Sequence, residues 1–303
     1  MSERRILSID NRRDRSKPFQ SVFFPTTHVL NPQYITDVTP GDVTGYGLIA
    51  IKGGDGTIGY VLNTLSRTDD NPAIFLSGGG SANTLLKGLK TTAAVAIPND
   101  LTEYFSPDSF EAHLYRPPQI ISDQGKETVA YLVAPDHLGV DVTKTREWME
   151  ANNLNVHMHL TYIASGLVSL FKLWGRVEPK DVVGIDQQKI AAAAVIAVPI
   201  LGTFKLLNSI DSDKVRLLSI AAQTEYALFL KYLSTLIVAS SFPHGADMAI
   251  KLGIMTSRDV EKVSLLTDPD KSPNACIDGE LRVVRGKIDF VRSPQGRLFI
   301  IPK

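Results

Sequence analysis

Two consecutive stretches near the amino terminus share one pattern of apolar and polar positions. In the first, Leu48-Ile49-Ala50-Ile51 leads into Gly53-Gly54-Asp55-Gly56-Thr57, after which Ile58, Val61, Leu62 and Leu65 recur at the spacing of one helical face. In the second, Ala73-Ile74-Phe75-Leu76 leads into Ser77-Gly78-Gly79-Gly80-Ser81, and Ala82, Leu85, Leu86 and Leu89 repeat that spacing. A third apolar run, Ala93 to Ile97, follows closely. Strand, glycine turn and helix in succession predict a parallel sheet with right-handed crossovers, hence an α/β domain.

Beyond Pro98 the periodicity loosens. Pro117-Pro118 predicts an extended segment, residues 128–134 a strand, and residues 142–152 a polar helix with Trp148 as an anchor on its buried side. The most apolar stretch, from Ile190 to Phe204, is too short to span a bilayer and is interrupted by Pro199 and Gly202. It predicts a buried core helix, with an interfacial membrane segment as the alternative. Ala191 to Ala194 favours helix, whereas Val215 to Ile220 fits either strand or helix. Towards the end, residues 281–284 and 287–291 read as short strands, Ser293-Pro294-Gln295-Gly296 as a turn, and residues 298–301 as a final strand.

Composition narrows the function classes. A chain of 303 residues holds one large domain or two moderate ones, and 44% hydrophobic with 21% charged residues is ordinary for a soluble globular protein. Lys plus Arg and Asp plus Glu each number 32, so there is no basic excess of the kind a nucleic-acid binder carries. Cys276 is the only cysteine, which excludes an intrachain disulfide and a thiolate zinc cluster. No apolar signal core follows the charged start Met1-Ser2-Glu3-Arg4-Arg5, so the cytoplasm is the expected compartment. His157 and His159 form a His-x-His pair without a third ligand at convincing spacing, and read as ordinary histidines. Ser165-Gly166 lacks the Gly-x-Ser-x-Gly pattern of a hydrolase nucleophile elbow.

The glycine loops carry the candidate chemistry. Glycines let backbone amides converge on phosphate oxygens through positive φ and close approach, and a helix starting at the loop adds its unsatisfied N–H groups. Asp55 inside such a loop would repel phosphate unless it holds a cation or bonds a hydroxyl; an Mg²⁺-linked role, a hydroxyl contact and a helix N-cap all fit. Near the end, Asp278 and Glu280 would share one face of an extended strand, where two carboxylates raise one pKa and suit a general base. An ordinary Asp-Gly hairpin turn is the alternative at that place.

Gly53-Gly54-Asp55-Gly56-Thr57 resembles the signature shared by diacylglycerol kinases, sphingosine kinases and NAD kinases. Ile58 to Asn63 resembles the lipid-kinase continuation, and Gly80-Ser81-Ala82-Asn83-Thr84 is similar to the second lipid-kinase motif, usually Gly-Thr-Gly-Asn-Asp. Tyr162 to Gly166 looks like the family's entry into its second domain, and Asp278-Gly279-Glu280 like its carboxylate motif. The departures are Ser81, Ala82 and Thr84 for threonine, glycine and aspartate, and an amino-terminal Asn-Pro motif of which Asn11 alone is present, followed by Arg12.

What the resemblance implies is specific. Residues 1–107 form an α/β nucleotide-binding domain, 108–290 a β-rich substrate domain, and 291–303 a final strand whose return to the first is left open, with ATP held between the two domains. Gly53, Gly54, Gly56, Thr57, Gly80, Ser81 and Asn83 bind ATP; Asp55 holds Mg²⁺; Glu280 is the base, with Asp55 and Asp278 beside it in catalysis. The partners are ATP and a lipid substrate, with peripheral contact at the inner membrane face, no nucleic acid, and a homodimer left open. The activity implied is phosphoryl transfer from ATP to the hydroxyl of diacylglycerol or a related lipid. NAD kinase and a nucleotide-binding module without catalysis are the competing readings.

Overall fold

A computed structural model describes residues 5–11, 28–30, 32, 34–77, 84–134, 137–152, 164–168, 180–181, 189–201, 204–205, 213–221, 225–241, 245–266 and 275–303. They fall into two compact units, of which the first comprises Met1–Pro117, Thr128–Ala130 and Ser293–Lys303.

The first unit is built on a six-stranded sheet. Its strands are β1 (Ile6–Asp10), β2 (His28–Leu30), β3 (Leu48–Lys52), β4 (Ala73–Leu76), β5 (Phe110–Tyr115) and the carboxy-terminal strand Arg297–Pro302. The spatial order is β2-β1-β3-β4-terminal strand-β5. Every neighbour is parallel except β5, which runs antiparallel to the terminal strand. Three helices connect the strands: the short α1 (Pro40–Val43), α2 (Asp55–Leu65) and α3 (Thr84–Leu89). Both faces of the sheet are covered, which is why β3 and β4 read as unbroken apolar runs rather than alternating ones. On one face Ile6, Leu48, Ala50 and Phe75 pack with Leu101, Phe105 and Phe110, and the rings of Phe75 and Phe105 lie 5.1 Å apart. In α2 the predicted stripe Ile58, Val61, Leu62 and Leu65 is buried throughout. The third run forms no strand; Val95 makes a single bridge to Ala112.

The border between the units follows Pro117 rather than residue 107, because β5 pairs along its length with the terminal strand, from Arg297↔Tyr115 to Pro302↔Phe110.

The second unit, Pro118–Glu127 and Tyr131–Arg292, is rich in β-structure. One sheet contains β6 (Pro118–Ser122), β7 (Gly125–Thr128), and the later strands β15 (Lys262–Leu266) and β18 (Lys287–Arg292), in the order β15-β18-β6-β7. A larger sheet contains β8 (Leu132–Ala134), β10 (Lys189–Ile196), β13 (Val215–Ala221), β14 (Thr256–Val260), β16 (Ala275–Ile277) and β17 (Glu280–Arg282). Its order is β14-β13-β10-β8-β16-β17, with the short β9 (Lys180–Asp181) against β10. β11 (Ile200–Leu201) and β12 (Phe204–Lys205) form a small ladder of their own. The helices are α4 (His137–Ala151), α5 (Glu225–Ser241) and α6 (Gly245–Lys251). An α/β unit with a parallel sheet and a β-rich second unit is the predicted fold class.

Two local expectations are corrected here. The apolar stretch expected as a core helix begins with strand β10, whose residues pair with β13 on one edge and β8 on the other. Ladder bonds to β13 at Ala192 to Ala194, continued by pairing on both edges at Val195 and Ile196, outweigh the alanines' intrinsic helix preference of a few tenths of a kcal/mol per residue. Trp148, expected as a buried anchor of α4, is 58% exposed. His157, His159, Tyr162 and Ile163 lie outside the described residues.

Candidate functional site

The glycine loop sits where β3 ends and α2 begins. In open parallel sheets this carboxyl edge is where ligands bind, because the strand-to-helix turns converge there. β1, β3 and β4 lie side by side, so Asn11, Lys52 to Gly54 and Ser77 meet at one edge. The Asn11 amide donates to the Lys52 carbonyl at 2.9 Å, and its side-chain Nδ2 donates to Thr57 Oγ1 at 3.0 Å. The Ser77 amide donates to the Ile51 carbonyl at 3.2 Å. Gly54 occupies the N-cap position of α2 and has no side chain to offer the helix's first amides, which are left to another acceptor.

Close approach, not positive φ, explains the glycines. Gly54 has φ −83° and ψ −178°, an extended conformation open to any residue. At Gly53 a Cβ would stand 2.7 Å from the Cβ, Cγ2 and Oγ1 of Thr57. Gly53 and Thr57 are therefore coupled: the backbone crosses directly over the first turn of α2.

Asp55 is buried at the first helical position of α2. Its Oδ2 accepts the Thr84 amide at 2.9 Å and its Oδ1 the Leu85 amide at 3.1 Å. Those amides open α3, so Asp55 caps the neighbouring helix rather than its own. Burial pushes the Asp55 carboxyl above the ordinary aspartate range, and the bonds from Thr84 and Leu85 pull it part of the way back. Both Asp55 oxygens are thus fixed in direction by backbone amides, which leaves the side chain little freedom to turn towards another partner. Among the described residues no group of three or more His, Cys, Asp or Glu side chains could hold a metal ion. Gly80, Ser81 and Asn83 lie outside the described residues.

Asn63, on the buried side of α2, receives the Thr128 amide on Oδ1 at 3.1 Å. The only sequence signal for this role was its place in the family-like continuation of the glycine loop. Asn11 was legible only as half of a motif; its position at the carboxyl end of a parallel strand is the stronger signal.

In the second unit, Asp278-Gly279 forms the tip of the β16–β17 hairpin, with Ile277 paired to Glu280. Both tip residues have positive φ, 51° at Asp278 and 85° at Gly279, as a two-residue primed turn requires. The same-face expectation for Asp278 and Glu280 loses its premise, because Asp278 is not extended. Its Oδ1 accepts the amides of Tyr131 and Leu132 at 2.9 and 3.0 Å. From α4, Arg146 Nη2 donates to the Gly279 carbonyl at 3.3 Å, and Thr143 Oγ1 donates to Cys276 Sγ at 3.3 Å. Glu280 is exposed and pairs with Arg282 at 3.3 Å, which also lies 3.6 Å from Glu127. Asp278 thus holds the hairpin, while the Glu280 side chain is exposed and ion-paired.

Asp278→Ala is expected to lower stability by roughly 2–5 kcal/mol, since two buried amides lose their acceptor and alanine strains the left-handed backbone. Asp278→Asn keeps an acceptor oxygen and tolerates that backbone, so it loses much less. Urea unfolding midpoints of the two variants check this; equal losses would deny the clamp.

Comparison with known proteins agrees with the first unit's signature. Residues 27–106 match the family model of the diacylglycerol kinase catalytic domain. No curated protein matches the chain. Among solved structures, a candidate diacylglycerol kinase from Bacillus anthracis strain Sterne is 15% identical, with a TM-score of 0.61 over 98% of this chain and 97% of that one. A diacylglycerol kinase from the same strain is 14% identical, with a TM-score of 0.61 over 99% and 97%. At these identities the likeness shows a shared fold along the whole chain, while the family resemblance rests on residues 27–106.

Proposed function

We propose, from the match of residues 27–106 to the diacylglycerol kinase catalytic domain, that this chain is an ATP-dependent lipid kinase. It transfers the γ-phosphoryl group to the hydroxyl of diacylglycerol or a related lipid. The observation that carries the reading is the glycine loop at the carboxyl end of β3, with Gly53 crossing Thr57 and the first amides of α2 left uncapped by Gly54. Amides converging at a helix start neutralise phosphate charge without a side chain. Gly53, Gly54, Gly56 and Thr57 hold the phosphates in this reading, and Gly80, Ser81 and Asn83 contribute from the second motif. Glu280 accepts the proton of the lipid hydroxyl as its oxygen bonds to the γ-phosphorus and ADP departs. Mg²⁺ neutralises phosphate charge when bound; no step is assigned to it through Asp55.

The test is a panel of lipids and NAD incubated with γ-labelled ATP. Label on a diacylglycerol-like lipid is expected. Label on NAD alone would make the chain an NAD kinase, and no transfer with ATP still bound would make it a nucleotide-binding module.

A lipid kinase must reach its substrate at a bilayer, and among the described residues no helix is long and apolar enough to cross one. Peripheral contact is therefore part of the reading. The buried residues of β10 cannot make it, Val195 and Ile196 being fully enclosed. The α5 face carrying Tyr226, Leu230 and Ile237 suits it better: these exposed side chains share one stripe by their helical spacing. The lysine of that helix, Lys231, turns back to the Ala221 carbonyl at 2.9 Å, leaving the stripe uncharged. Leu230→Glu with Ile237→Glu is expected to abolish co-sedimentation with diacylglycerol-containing vesicles while ATP affinity is kept. Unchanged co-sedimentation would place the contact elsewhere.

A further inference from the structure

We infer that Asp55 and Thr84 form a clasp joining the starts of α2 and α3, and that Asp55 serves the glycine loop through this clasp as a positioning residue, not as a ligand of Mg²⁺. The inference rests on the reading of that loop as the nucleotide site. Three donors converge on one carboxylate: the Thr84 amide on Oδ2, the Leu85 amide on Oδ1, and the Thr84 hydroxyl. A carboxylate has about four acceptor positions, so little capacity is left. Mg²⁺ demands near-octahedral geometry with short bonds to oxygens that are free to turn towards it. Asp55 is 7% exposed and held on both oxygens, so it lacks that freedom.

Thr84 gives the clasp its particular chemistry. It is fully enclosed, and it stands where the similar lipid-kinase motif usually has aspartate. An aspartate there would set a second buried carboxylate against Asp55 at hydrogen-bond range, where two like charges repel strongly. A threonine hydroxyl donates instead. The departure from the motif is thus matched by its neighbour, and is not a sign of a decayed site. Ser77 is tied to the Ile51 carbonyl through both its amide and its hydroxyl, at 3.2 and 3.3 Å. Ser77 is therefore fixed to β3 and Thr84 to Asp55.

The deciding experiment needs neither nucleotide nor lipid. In Asp55→Asn, one carboxylate oxygen becomes an NH₂ that faces an amide donor. Hydrogen exchange at Thr84 and Leu85 should then quicken by about ten- to hundredfold, the worth of a hydrogen bond to a charged acceptor. Mn²⁺ titrated into the nucleotide-free protein and followed by electron paramagnetic resonance should bind wild type and Asp55→Asn alike. Unchanged exchange at those amides, or loss of a Mn²⁺ site in the variant, would overturn the clasp. A second pair of variants decides the matter should Asp55→Asn not fold. Thr84→Val should weaken ATP binding several-fold by calorimetry with little change in melting temperature, and Thr84→Ser should restore it. Equal ATP affinity in Thr84→Val and wild type would also overturn the inference. Failure of lipid phosphorylation leaves the exchange and Mn²⁺ results intact, so the two readings fail separately.

Discussion

Replacing Glu280 by glutamine is expected to lower lipid phosphorylation by roughly two to four orders of magnitude, the usual worth of a general base. ATP affinity should remain at the wild-type level. Glutamine keeps the length and hydrogen-bonding reach of the side chain and removes only its basicity. The fold should tolerate the change, because Glu280 is exposed at the start of β17 and its contact with Arg282 is a surface ion pair. Such pairs contribute about 0–1 kcal/mol. Asp278 is expected to be a poor substitute, because it is buried and its Oδ1 is held by the Tyr131 and Leu132 amides. Turnover and ATP affinity measured side by side decide the question. Near-normal turnover would remove Glu280 from the chemistry, and a parallel fall in ATP affinity would mark it as part of the nucleotide site instead.

The second large effect separates two adjacent glycines. Gly54→Val should keep the fold, because its extended backbone suits a β-branched residue, yet it should abolish detectable ATP binding by obstructing the approach of phosphate. Gly53→Ala should do more. Its Cβ meets three atoms of Thr57 at 2.7 Å, and the helix start must shift to relieve the clash. Overpacking of this kind costs about 1–3 kcal/mol, so both stability and ATP binding should fall. Gly53→Ala combined with Thr57→Gly should regain stability, since the obstructing side chain is gone. Thermal melts and calorimetric ATP titrations on the three proteins test the pattern. Strong ATP binding in a folded Gly54→Val would show that the loop is only a turn.

Much of the first unit was legible because its elements depend on local pattern. The apolar runs of β3 and β4 are buried on both faces and the stripe Ile58, Val61, Leu62, Leu65 along one, and the apolar pattern reports each directly. The hairpin at Asp278-Gly279 was legible as an alternative, because Asp-Gly supplies the two positive φ angles such a turn needs. The larger sheet of the second unit was not legible in the same way. Its strand β10 is spelled largely with alanine, and nothing local says that β8 and β13 will flank it. Trp148 failed for the complementary reason: a large aromatic is no evidence of burial unless something packs over it, and here it remains exposed.

By itself the sequence determined the α/β grammar of the first unit, the place of the glycine loop, and the identity of the groups available for chemistry. Those depend on which backbone angles, periods and functional groups a short stretch can supply. Only the tertiary structure decided what each group does. Asp55 became a cap for α3 because a buried carboxylate must find donors, and the fold brings to it the Thr84 and Leu85 amides, 29 and 30 residues away in the chain. Asp278 became a clamp because Tyr131 and Leu132, 147 and 146 residues away, present their amides to it. Burial and hydrogen bonding are properties of neighbours in space, and those neighbours are set by the whole fold.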